Sequence, residues 1–235
     1  MEDFKIAAGS MGIDLSPGQI TQFEIYYQSL GDWNERVNLT SITERAEVFT
    51  KHFLDSLSCL IALPKLPKHV VDVGAGAGFP GLALKIAQPH IQLTLVESTG
   101  KKVKFLRFMV EELALENMTV LHNRAEEVGR LPAHRGRYDL ALARAVAGLP
   151  VLAEYMLPLL KKGGLMLAQK GRDPGDEVRA AANALGILGG VHRRTLSVAV
   201  PNLKAERHLV LVKKMKETPK QYPRRAGTPA KKPIR

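Results

Sequence analysis

Hydrophobic residues follow two different patterns along this chain, and the pattern changes near residue 65. In the first part, Ser16-Pro17 is typical of a helix start, because Ser caps the first turn and Pro fits the first helical position. Apolar residues then recur at the spacing of a helix surface, at Ile20, Phe23, Tyr27, Leu30, Val48, Phe49, Phe53, Leu57 and Leu60. The sequence therefore predicts an N-terminal helical section over residues 1–64.

Short apolar runs alternate with amphipathic segments between residues 65 and 212. Predicted strands cover 69–74, 91–97, 118–122, 138–144, 165–169, 191–200 and 208–212, and predicted helices cover 82–87, 101–115, 149–160 and 173–188. Such alternation predicts a mostly parallel sheet with helices on both faces. Only a turn at Pro201-Asn202 joins the last two strands, so the last strand is expected to be antiparallel. The fold class is therefore α/β with a Rossmann-like sheet.

The C-terminal residues 213–235 differ in charge from the rest of the chain. They contain nine Lys or Arg residues, one acid and four prolines, whereas residues 1–212 contain 25 bases and 22 acids. With so few apolar residues, this tail is predicted to be disordered. A basic tail is attracted to polyanions such as nucleic acid by counterion release. The alternative is a solvated tail without a specific partner.

Several protein classes are excluded by composition. The chain has no run of about 18 apolar residues that would suggest a membrane span, and its N-terminus lacks the pattern of a signal peptide. The single cysteine, Cys59, cannot form an internal disulfide, which fits a reducing compartment. The seven histidines are scattered, so no metal site is expected. We expect a cytoplasmic protein without a metal; its oligomeric state stays open, with a monomer favoured.

A glycine-rich stretch, V-V-D-V-G-A-G-A-G-F-P-G at 70–81, lies between the first predicted strand and the first helix of the sheet. In such sheets ligands bind beyond the carboxyl ends of the strands. Gly74, Gly76 and Gly78 permit close approach of the backbone to a ligand. Phe79 stands where a dinucleotide fingerprint has its third Gly, so the pattern favours S-adenosylmethionine over NAD. A purely structural turn is the alternative.

Acidic residues follow the next two predicted strands. Glu97 ends the second strand, where a carboxylate can accept hydrogen bonds from ribose hydroxyls. Ala125-Glu126 follows the third strand, where the adenine edge of the cofactor is expected. Alternatively, Glu97 is an exposed strand-end acid and Glu126 an acid that stabilises a helix start. Suitable features after three successive strands support a cofactor site more strongly than any single one.

Further polar residues are candidates for substrate binding. Arg144 ends the fourth strand, where its guanidinium can hold the cofactor carboxylate or an RNA phosphate, or form a structural salt bridge. Lys170 follows the fifth strand and is either a phosphate contact or a solvent-facing lysine. Asn38, His52 and Asp55 in the helical section can line the substrate side, although the last two can also be a hydrogen-bonded pair on one helix face. We assign no catalytic residue.

Several motifs resemble one bacterial family, called glucose-inhibited division protein B or RsmG. They are N-L-T-S-I at 38–42, H-F-L-D-S-L at 52–57, the glycine-rich stretch, R-A-E at 124–126 and A-R-A-V-A at 143–147. The resemblance spans about residues 20–212 and implies methylation of guanine nitrogen-7 in 16S ribosomal RNA, with S-adenosylmethionine as donor. It implies nothing for the tail. By this resemblance, the cofactor would contact Gly74, Phe79, Ala125, Glu126 and Arg144, with Glu97, Ser98 and Thr99 at the ribose.

The implied chemistry needs few catalytic groups. Guanine nitrogen-7 has a free lone pair and no proton to remove, so the lack of an obvious general base fits this target. Alignment of the reactants alone can supply up to roughly 7–11 kcal/mol. The partner would be 16S rRNA or the small ribosomal subunit. Two alternatives stay open, a methyltransferase for a small molecule or protein and a non-enzymatic RNA-binding protein; Phe79 disfavours a dehydrogenase.

Overall fold

The computed structural model describes residues 1–63, 65–171 and 173–235. Within these residues, one sheet contains the strands β1 (His69–Val73), β2 (Gln92–Glu97), β3 (Met118–His122), β4 (Tyr138–Arg144), β5 (Leu160–Lys170), β6 (Gly190–Val198) and β7 (Arg207–Lys214). Their order across the sheet is β3-β2-β1-β4-β5-β7-β6. β7 is antiparallel to β5 and to β6, and the pairs among β1 to β5 are parallel. The predicted α/β class and the antiparallel last strand are confirmed.

The strand order places a crevice at the centre of the sheet. β1 pairs with β2 on one side and with β4 on the other, both parallel. From β1 the chain adds β2 and then β3 on one side of the sheet. It then crosses back over β1 and forms β4 on the other side. Because the connections leave β1 and β4 in opposite directions, a crevice opens beyond their carboxyl ends, which is where ligands bind in such sheets.

Helices cover both faces of the sheet and form two cores. They are α1 (Glu2–Ser10), α2 (Pro17–Val37), α3 (Arg45–Val48), α4 (Asp55–Leu57), α5 (Cys59–Ala62), α6 (Gly81–Ala87), α7 (Gly100–Glu112), α8 (Ala125–Val128), α9 (Leu149–Met156), α10 (Gly175–Ala180), α11 (Ala182–Leu188) and α12 (Thr228–Lys231). Alternate strand residues face opposite sides. Accordingly, Val70 packs with the N-terminal helices, and Val71 packs with α9 and α11.

The start of α2 is encoded locally, as predicted. The Ser16 hydroxyl accepts a hydrogen bond from the Gln19 backbone N–H, and the Gln19 side chain accepts one from the Ser16 N–H. The Gln19 amide also donates to the carbonyls of Ile86 and Ala87. This capping box therefore joins α2 to the end of α6. The predicted boundary at Pro64 lies outside the described residues.

Three predicted helices are shorter or less regular in the structure. The helix expected around residues 48–60 contains a π-helical segment, Phe49–Leu54, between α3 and α4. The helix expected over 149–160 ends early, because a 3-10 turn leads into β5 at Leu160. The helix expected over 173–188 is divided at Ala181 into α10 and α11. Among the described helices, none is long and apolar enough to cross a membrane.

The prediction of a disordered tail is wrong. Residues 213 and 214 belong to β7, and residues 215–235, here called the C-terminal strap, pack along α8, α9 and α11. Thr218, Pro223 and Pro229 are buried. The strap is ordered mainly by polar contacts that composition does not reveal. The Arg135 guanidinium, for example, donates to the carbonyls of Thr218 and Tyr222, each at 2.7 Å.

Candidate active site

The glycine-rich loop after β1 is tied to the neighbouring strand. The N–H groups of Gly74 and Ala75 both donate to the Val96 carbonyl, at 2.9 and 3.1 Å. A Cβ added at Gly76 would meet only the Gly74 carbonyl oxygen at 3.9 Å, whereas one at Gly78 would lie 2.5 Å from the Leu82 side chain. Both glycines have positive φ angles, of 59° and 96°. The loop is therefore packed tightly at Gly78 and open at Gly76.

The Glu97 carboxylate holds this loop at the end of β2. One oxygen accepts from the Gly76 N–H at 3.0 Å, and the other accepts from the Thr99 N–H at 2.7 Å. Each carboxylate oxygen has a second lone pair for a ligand hydroxyl. Ser98 and Thr99 are exposed at the same edge. The Glu97 carboxylate therefore lies at the crevice edge and retains acceptor capacity, while its role toward a ribose stays a prediction.

Asp72 is a buried acid beneath the loop that the sequence reasoning did not select. Its Oδ2 accepts from the Gly81 N–H at 2.8 Å. Within the described residues its Oδ1 has no hydrogen-bond partner. Burial raises the pKa of Asp72 to about 7, against the lowering effects of the Gly81 N–H and the Arg144 charge. The loop therefore covers a carboxyl group that titrates near neutral pH.

Phe79 lies between two aromatic rings of the N-terminal helices. The Tyr26 ring stacks on it at a centroid distance of 5.3 Å, and the His52 ring stacks on it at 4.5 Å. The Tyr26 hydroxyl donates to the Ala77 carbonyl, and burial raises the pKa of Tyr26 well above its usual value. The N-terminal helices therefore form one wall of the crevice.

Arg144 meets residues of the π-helical segment at the end of β4. One guanidinium nitrogen, Nη1, donates to Asp55 Oδ2 at 3.0 Å and to the Lys51 carbonyl at 3.1 Å. The other, Nη2, lies 3.3 Å from His52 Nδ1. The guanidinium carbon lies 5.0 Å from the centre of the Phe79 ring. The structure thus joins Arg144, His52, Asp55 and Phe79, which the sequence proposed separately.

These contacts determine which ring nitrogen of His52 carries the proton. An arginine only donates hydrogen bonds, so His52 Nδ1 is the acceptor and Nε2 donates to the Thr40 hydroxyl at 2.8 Å. Burial, together with the Arg144 charge, lowers the pKa of His52 to about 4. His52 is therefore neutral at physiological pH and fixes one side of the Arg144 guanidinium.

Asp55 bridges two arginines. Its Oδ1 accepts from Arg207 Nε at 2.7 Å, while Oδ2 accepts from Arg144. The adjacent cleft has a volume of about 390 Å³, within the range of small-ligand sites. It is lined by Lys51, His52, Asp55, Arg144, Ala145, Gln169, Lys170, Gly171 and Arg207. We call this set of residues the cationic cleft.

Two cleft residues have unusual features. Ala145 has a φ of 56°, a left-handed conformation that is uncommon for a residue other than glycine and is concentrated at functional sites. The Gln169 amide nitrogen donates to the Asp55 carbonyl at 2.7 Å, and within the described chain its buried Oε1 lacks a partner. An unpaired buried acceptor at a cleft fits a ligand that donates a hydrogen bond.

Lys170 has structural partners, whereas Asn38 does not line the cleft. The Lys170 ammonium donates to the Ala147 carbonyl at 2.9 Å and to Glu177 at 2.7 Å, so it lines the cleft as one half of an ion pair. Asn38 ends α2 in a left-handed conformation with an exposed side chain. The polar contacts near it come instead from Thr40, which bonds to His52.

Ala125 and Glu126 start α8, directly after β3, at the same edge as Glu97. Ala125 is half-buried, whereas Glu126 is only 4% exposed. The Glu126 carboxylate accepts a hydrogen bond from the Gly227 N–H of the C-terminal strap at 2.8 Å. Sequence reasoning missed this contact because residues 126 and 227 are far apart in the chain.

Other members of the site carried no local signal. Tyr26 has the spacing of an ordinary core residue, and Arg207 lies outside any motif. Only the V-D-V-G context could have indicated Asp72, since a charged residue interrupts an apolar strand there. Across the described part of the chain, no group of three or more His, Cys, Asp or Glu residues is placed to hold a metal ion.

Comparison with known proteins identifies the family. The family model for rRNA small subunit methyltransferase G matches residues 19–210. Proteins named ribosomal RNA small subunit methyltransferase G from Desulforamulus reducens and Bacillus subtilis are 47% and 45% identical to this chain. The first alignment covers 98% of this chain and 96% of the relative, and the second covers 100% and 98%.

Solved structures agree with the fold. A putative O-methyltransferase from Klebsiella pneumoniae aligns with a TM-score of 0.57 at 15% identity, over 81% of this chain and 90% of that one. A chain of the complex between the Haloferax volcanii Trm112 methyltransferase activator and a putative methyltransferase aligns with a TM-score of 0.59 at 14% identity, over 80% and 98%. The motif resemblance is confirmed by the family match, and this chain belongs to the rRNA small subunit methyltransferase G family.

Proposed function

We propose that this protein transfers the methyl group of S-adenosylmethionine to nitrogen-7 of a guanine in 16S rRNA, acting in the cytoplasm on the RNA or the small ribosomal subunit. The observation that carries this proposal is the position of the cationic cleft. It lies at the carboxyl ends of β4 and β5 and contacts the glycine-rich loop through Arg144 and Phe79. A cofactor site and an RNA-attracting surface therefore meet at one edge.

The residues of the loop fit S-adenosylmethionine. The side of Gly76 where a Cβ would stand is open, so a ligand can approach the backbone there. Glu97 has remaining acceptor capacity for ribose hydroxyls. When bound, this cofactor supplies an electrophilic methyl group on a sulfonium. We propose Gly74, Gly76, Gly78, Phe79, Glu97, Ser98, Thr99, Ala125, Glu126 and Arg144 as its contacts.

The cationic cleft fits an RNA backbone beside a target base. Four cations line the cleft, namely Lys51, Arg144, Lys170 and Arg207. They pair with three carboxylates, which are Asp55 in the cleft and Glu47 and Glu177 beside it, so one positive charge is left over. Arginine binds phosphate through paired N–H donors, and phosphate contacts position RNA without reading its sequence. The neutral His52 adds no charge but orients Arg144. We infer that these residues hold the RNA, while the unpaired Gln169 Oε1 faces a donor of the ligand.

The residues of this site do not have to remove a proton from the target. Guanine nitrogen-7 is an acceptor with a free lone pair. A neutral His52 and a paired Asp55 therefore act by positioning Arg144, which helps align the base with the methyl donor. Alignment of this kind supplies up to roughly 7–11 kcal/mol of the barrier reduction.

The test is methylation of small ribosomal subunits that lack this modification. The protein is incubated with the subunits and with S-adenosylmethionine labelled in its methyl group, and the RNA is then digested to nucleosides. We expect label in 7-methylguanosine. We also expect Arg144→Ala to lower the rate at least tenfold, because it removes a hydrogen-bonded charge worth about 1.5–3 kcal/mol.

Arg137→Ala is the matched control. Arg137 is exposed and directly precedes β4, so it lies at the opposite end of the strand that carries Arg144. We expect this variant to retain the wild-type rate. Cofactor binding without labelled 7-methylguanosine, on both subunits and naked 16S rRNA, would refute the proposed target. Labelling of a small molecule or protein instead would favour that alternative class of methyltransferase.

A further inference from the structure

The Glu126 carboxylate is held by the C-terminal strap. Gly227 donates its backbone N–H to Glu126 Oε1 at 2.8 Å. The Tyr155 hydroxyl of α9 also faces this carboxylate, since burial and then the Glu126 charge raise the pKa of Tyr155. The Glu126 side chain therefore has a defined position, although it belongs to a four-residue helix at the end of a loop.

The strap is anchored close to this contact. Arg224 donates to Glu154 through its backbone N–H, Nε and Nη2, at 2.7, 2.9 and 2.6 Å. The Glu154 side chain is only 1% exposed. Arg130 also donates to the Pro223 carbonyl at 2.8 Å. Because only two residues separate Arg224 from Gly227, and each spans at most about 3.6 Å, the buried ion pair restricts where the Gly227 N–H can lie.

The position of Glu126 links the strap to the cofactor site. Glu126 follows β3, and β3 pairs with β2, whose last residue Glu97 contacts the glycine-rich loop. The Asn123 N–H donates to the Glu97 carbonyl at 3.2 Å, which brings the two strand ends together. Glu126 therefore lies at the crevice edge beyond the proposed ribose contact, on the side where the base of a bound nucleoside would extend.

We propose that the C-terminal strap is a fixed wall of the cofactor site, in which Arg224 and Gly227 position the Glu126 carboxylate to accept a hydrogen bond from the exocyclic amine of adenine. The inference rests on the proposed function, in that S-adenosylmethionine must bind at the glycine-rich loop. The match to the family model ends at residue 210, so the strap lies outside the matched residues.

The contacts favour a fixed wall over a movable cover. Releasing the strap would break the ion pair between Arg224 and the buried Glu154 carboxylate, which is strongly unfavourable. Arg135 would also lose its hydrogen bonds to the carbonyls of Thr218 and Tyr222. Holding Glu126 in advance of binding removes the entropy loss of ordering its side chain when the cofactor arrives.

The test compares two ligands that differ only at the adenine amine. Calorimetry gives the Kd of S-adenosylhomocysteine and of its 6-deaminated purine analogue, in which a hydrogen atom replaces the amine. The Glu126 carboxylate can accept a hydrogen bond from the amine but finds no such donor on the analogue. We expect the wild type to bind the adenosyl ligand about 10-fold or more tightly, the effect of one hydrogen bond to a charged group.

Gly227 offers a matched pair of variants. Its φ is +79°, and a Cβ there would meet no atom within 4 Å, so a side chain has space. Asn tolerates this left-handed conformation, whereas the β-branched Val does not. We expect Gly227→Asn to keep the wild-type discrimination within about twofold, and Gly227→Val to lose most of the roughly 10-fold preference. In a Glu126→Gln background, Gly227→Val should have no further effect.

A second variant removes the anchor without leaving a lone buried charge, namely Glu154→Leu combined with Arg224→Leu. We expect it to lose the discrimination as well, while thermal unfolding shows that the domain is folded; Arg225→Leu, at an exposed neighbouring position, is its control. Unchanged discrimination in the folded double variant and in Gly227→Val would reduce the strap to a structural role. Tighter binding of S-adenosylhomocysteine to these variants than to the wild type would show that the strap is a movable cover. Both results overturn the inference, whereas a wild type that binds neither ligand overturns the proposed function itself.

Discussion

The glycine-rich loop and the cationic cleft meet at Arg144 and Phe79, but they are built in different ways. The loop is formed by consecutive residues. Many of its close contacts come from the adjacent strand and helix, and Tyr26 of α2 and Val146 complete its packing. The cleft unites the π-helical segment with the ends of β4 and β5 and the start of β7. Asp55 alone contacts Arg144 and Arg207, which lie 89 and 152 positions further along the chain.

This difference has consequences for stability and for pH dependence. The loop depends on backbone conformation and on one buried acid, Asp72. The cleft depends on hydrogen bonds between charged and neutral side chains, with the neutral His52 among them. Since burial raises the pKa of Asp72 and lowers that of His52, both groups favour their uncharged forms in the folded protein. The contribution of the loop to stability should therefore fall as pH rises, whereas the contribution of the cleft should fall as pH decreases.

The largest expected effect is at Asp72. Its pKa is about 7 in the folded protein and 3.8 without the protein environment, so between these values the folded state holds a proton that the unfolded state releases. Its stabilising contribution is full below pH 3.8 and is lost as pH rises to about 7, on the order of 4 kcal/mol. Asp72→Asn should abolish this decline in denaturant titrations from pH 4 to 8. The exposed Asp176→Asn should retain it.

His52 should produce the opposite dependence. Its pKa is about 4 when folded and 6.5 without the protein environment, so the unfolded state binds the extra proton in this window. The contribution is present above pH 6.5 and is lost as pH falls to about 4, by about 3 kcal/mol. His52→Gln should remove that loss in the same titrations, whereas exposed His122→Gln should not. A catalytic pH profile rising near 6.5 that disappears in His52→Gln would contradict a neutral His52.

Gly78 and Gly76 test the loop itself. Gly78→Ala should destabilise the fold by about 3 kcal/mol, because the φ of 96° is unfavourable for alanine and the new Cβ overlaps Leu82. Gly76→Ala meets open space and should cost only about 1 kcal/mol, although its methyl group would stand where the cofactor is proposed to approach. Thermal unfolding and cofactor titration measure the two effects. Equal destabilisation by both variants would refute the different packing of these positions.

Asp55→Ala is expected to change stability less than Gly78→Ala does. Asp55→Ala should destabilise the protein by about 2 kcal/mol, since Arg144 and Arg207 lose their hydrogen-bonded partner but remain partly exposed to water. Methylation should fall much more than stability, because Arg144 would no longer be fixed. The measurement pairs thermal unfolding with the subunit assay, and Asp14→Ala at an exposed position is the control. Full activity in Asp55→Ala would show that Arg144 needs no such partner.

The sequence was sufficient where the interactions are local. Apolar periodicity predicted the order of strands and helices, and the short link before β7 predicted its antiparallel direction, because backbone geometry limits such connections. The capping box at Ser16 and the glycine-rich loop are likewise formed by residues close in the chain. Helix ends were less accurate, since the change from helix to β5 at Leu160 depends on pairing with β4.

The prediction from composition that the C-terminal residues are disordered was wrong for a physical reason. The prediction of disorder assumed that order requires apolar burial, whereas here Arg135 binds strap carbonyls and Arg224 neutralises the buried Glu154. Nothing in the segment itself reveals these distant partners. The sequence by itself thus determined the sheet, the position of the glycine-rich loop and the candidate residues at the strand ends. Only the tertiary structure decided that His52, Asp55 and Arg144 form one network and that Glu126 contacts Gly227, because such pairings depend on three-dimensional packing between segments far apart in the chain.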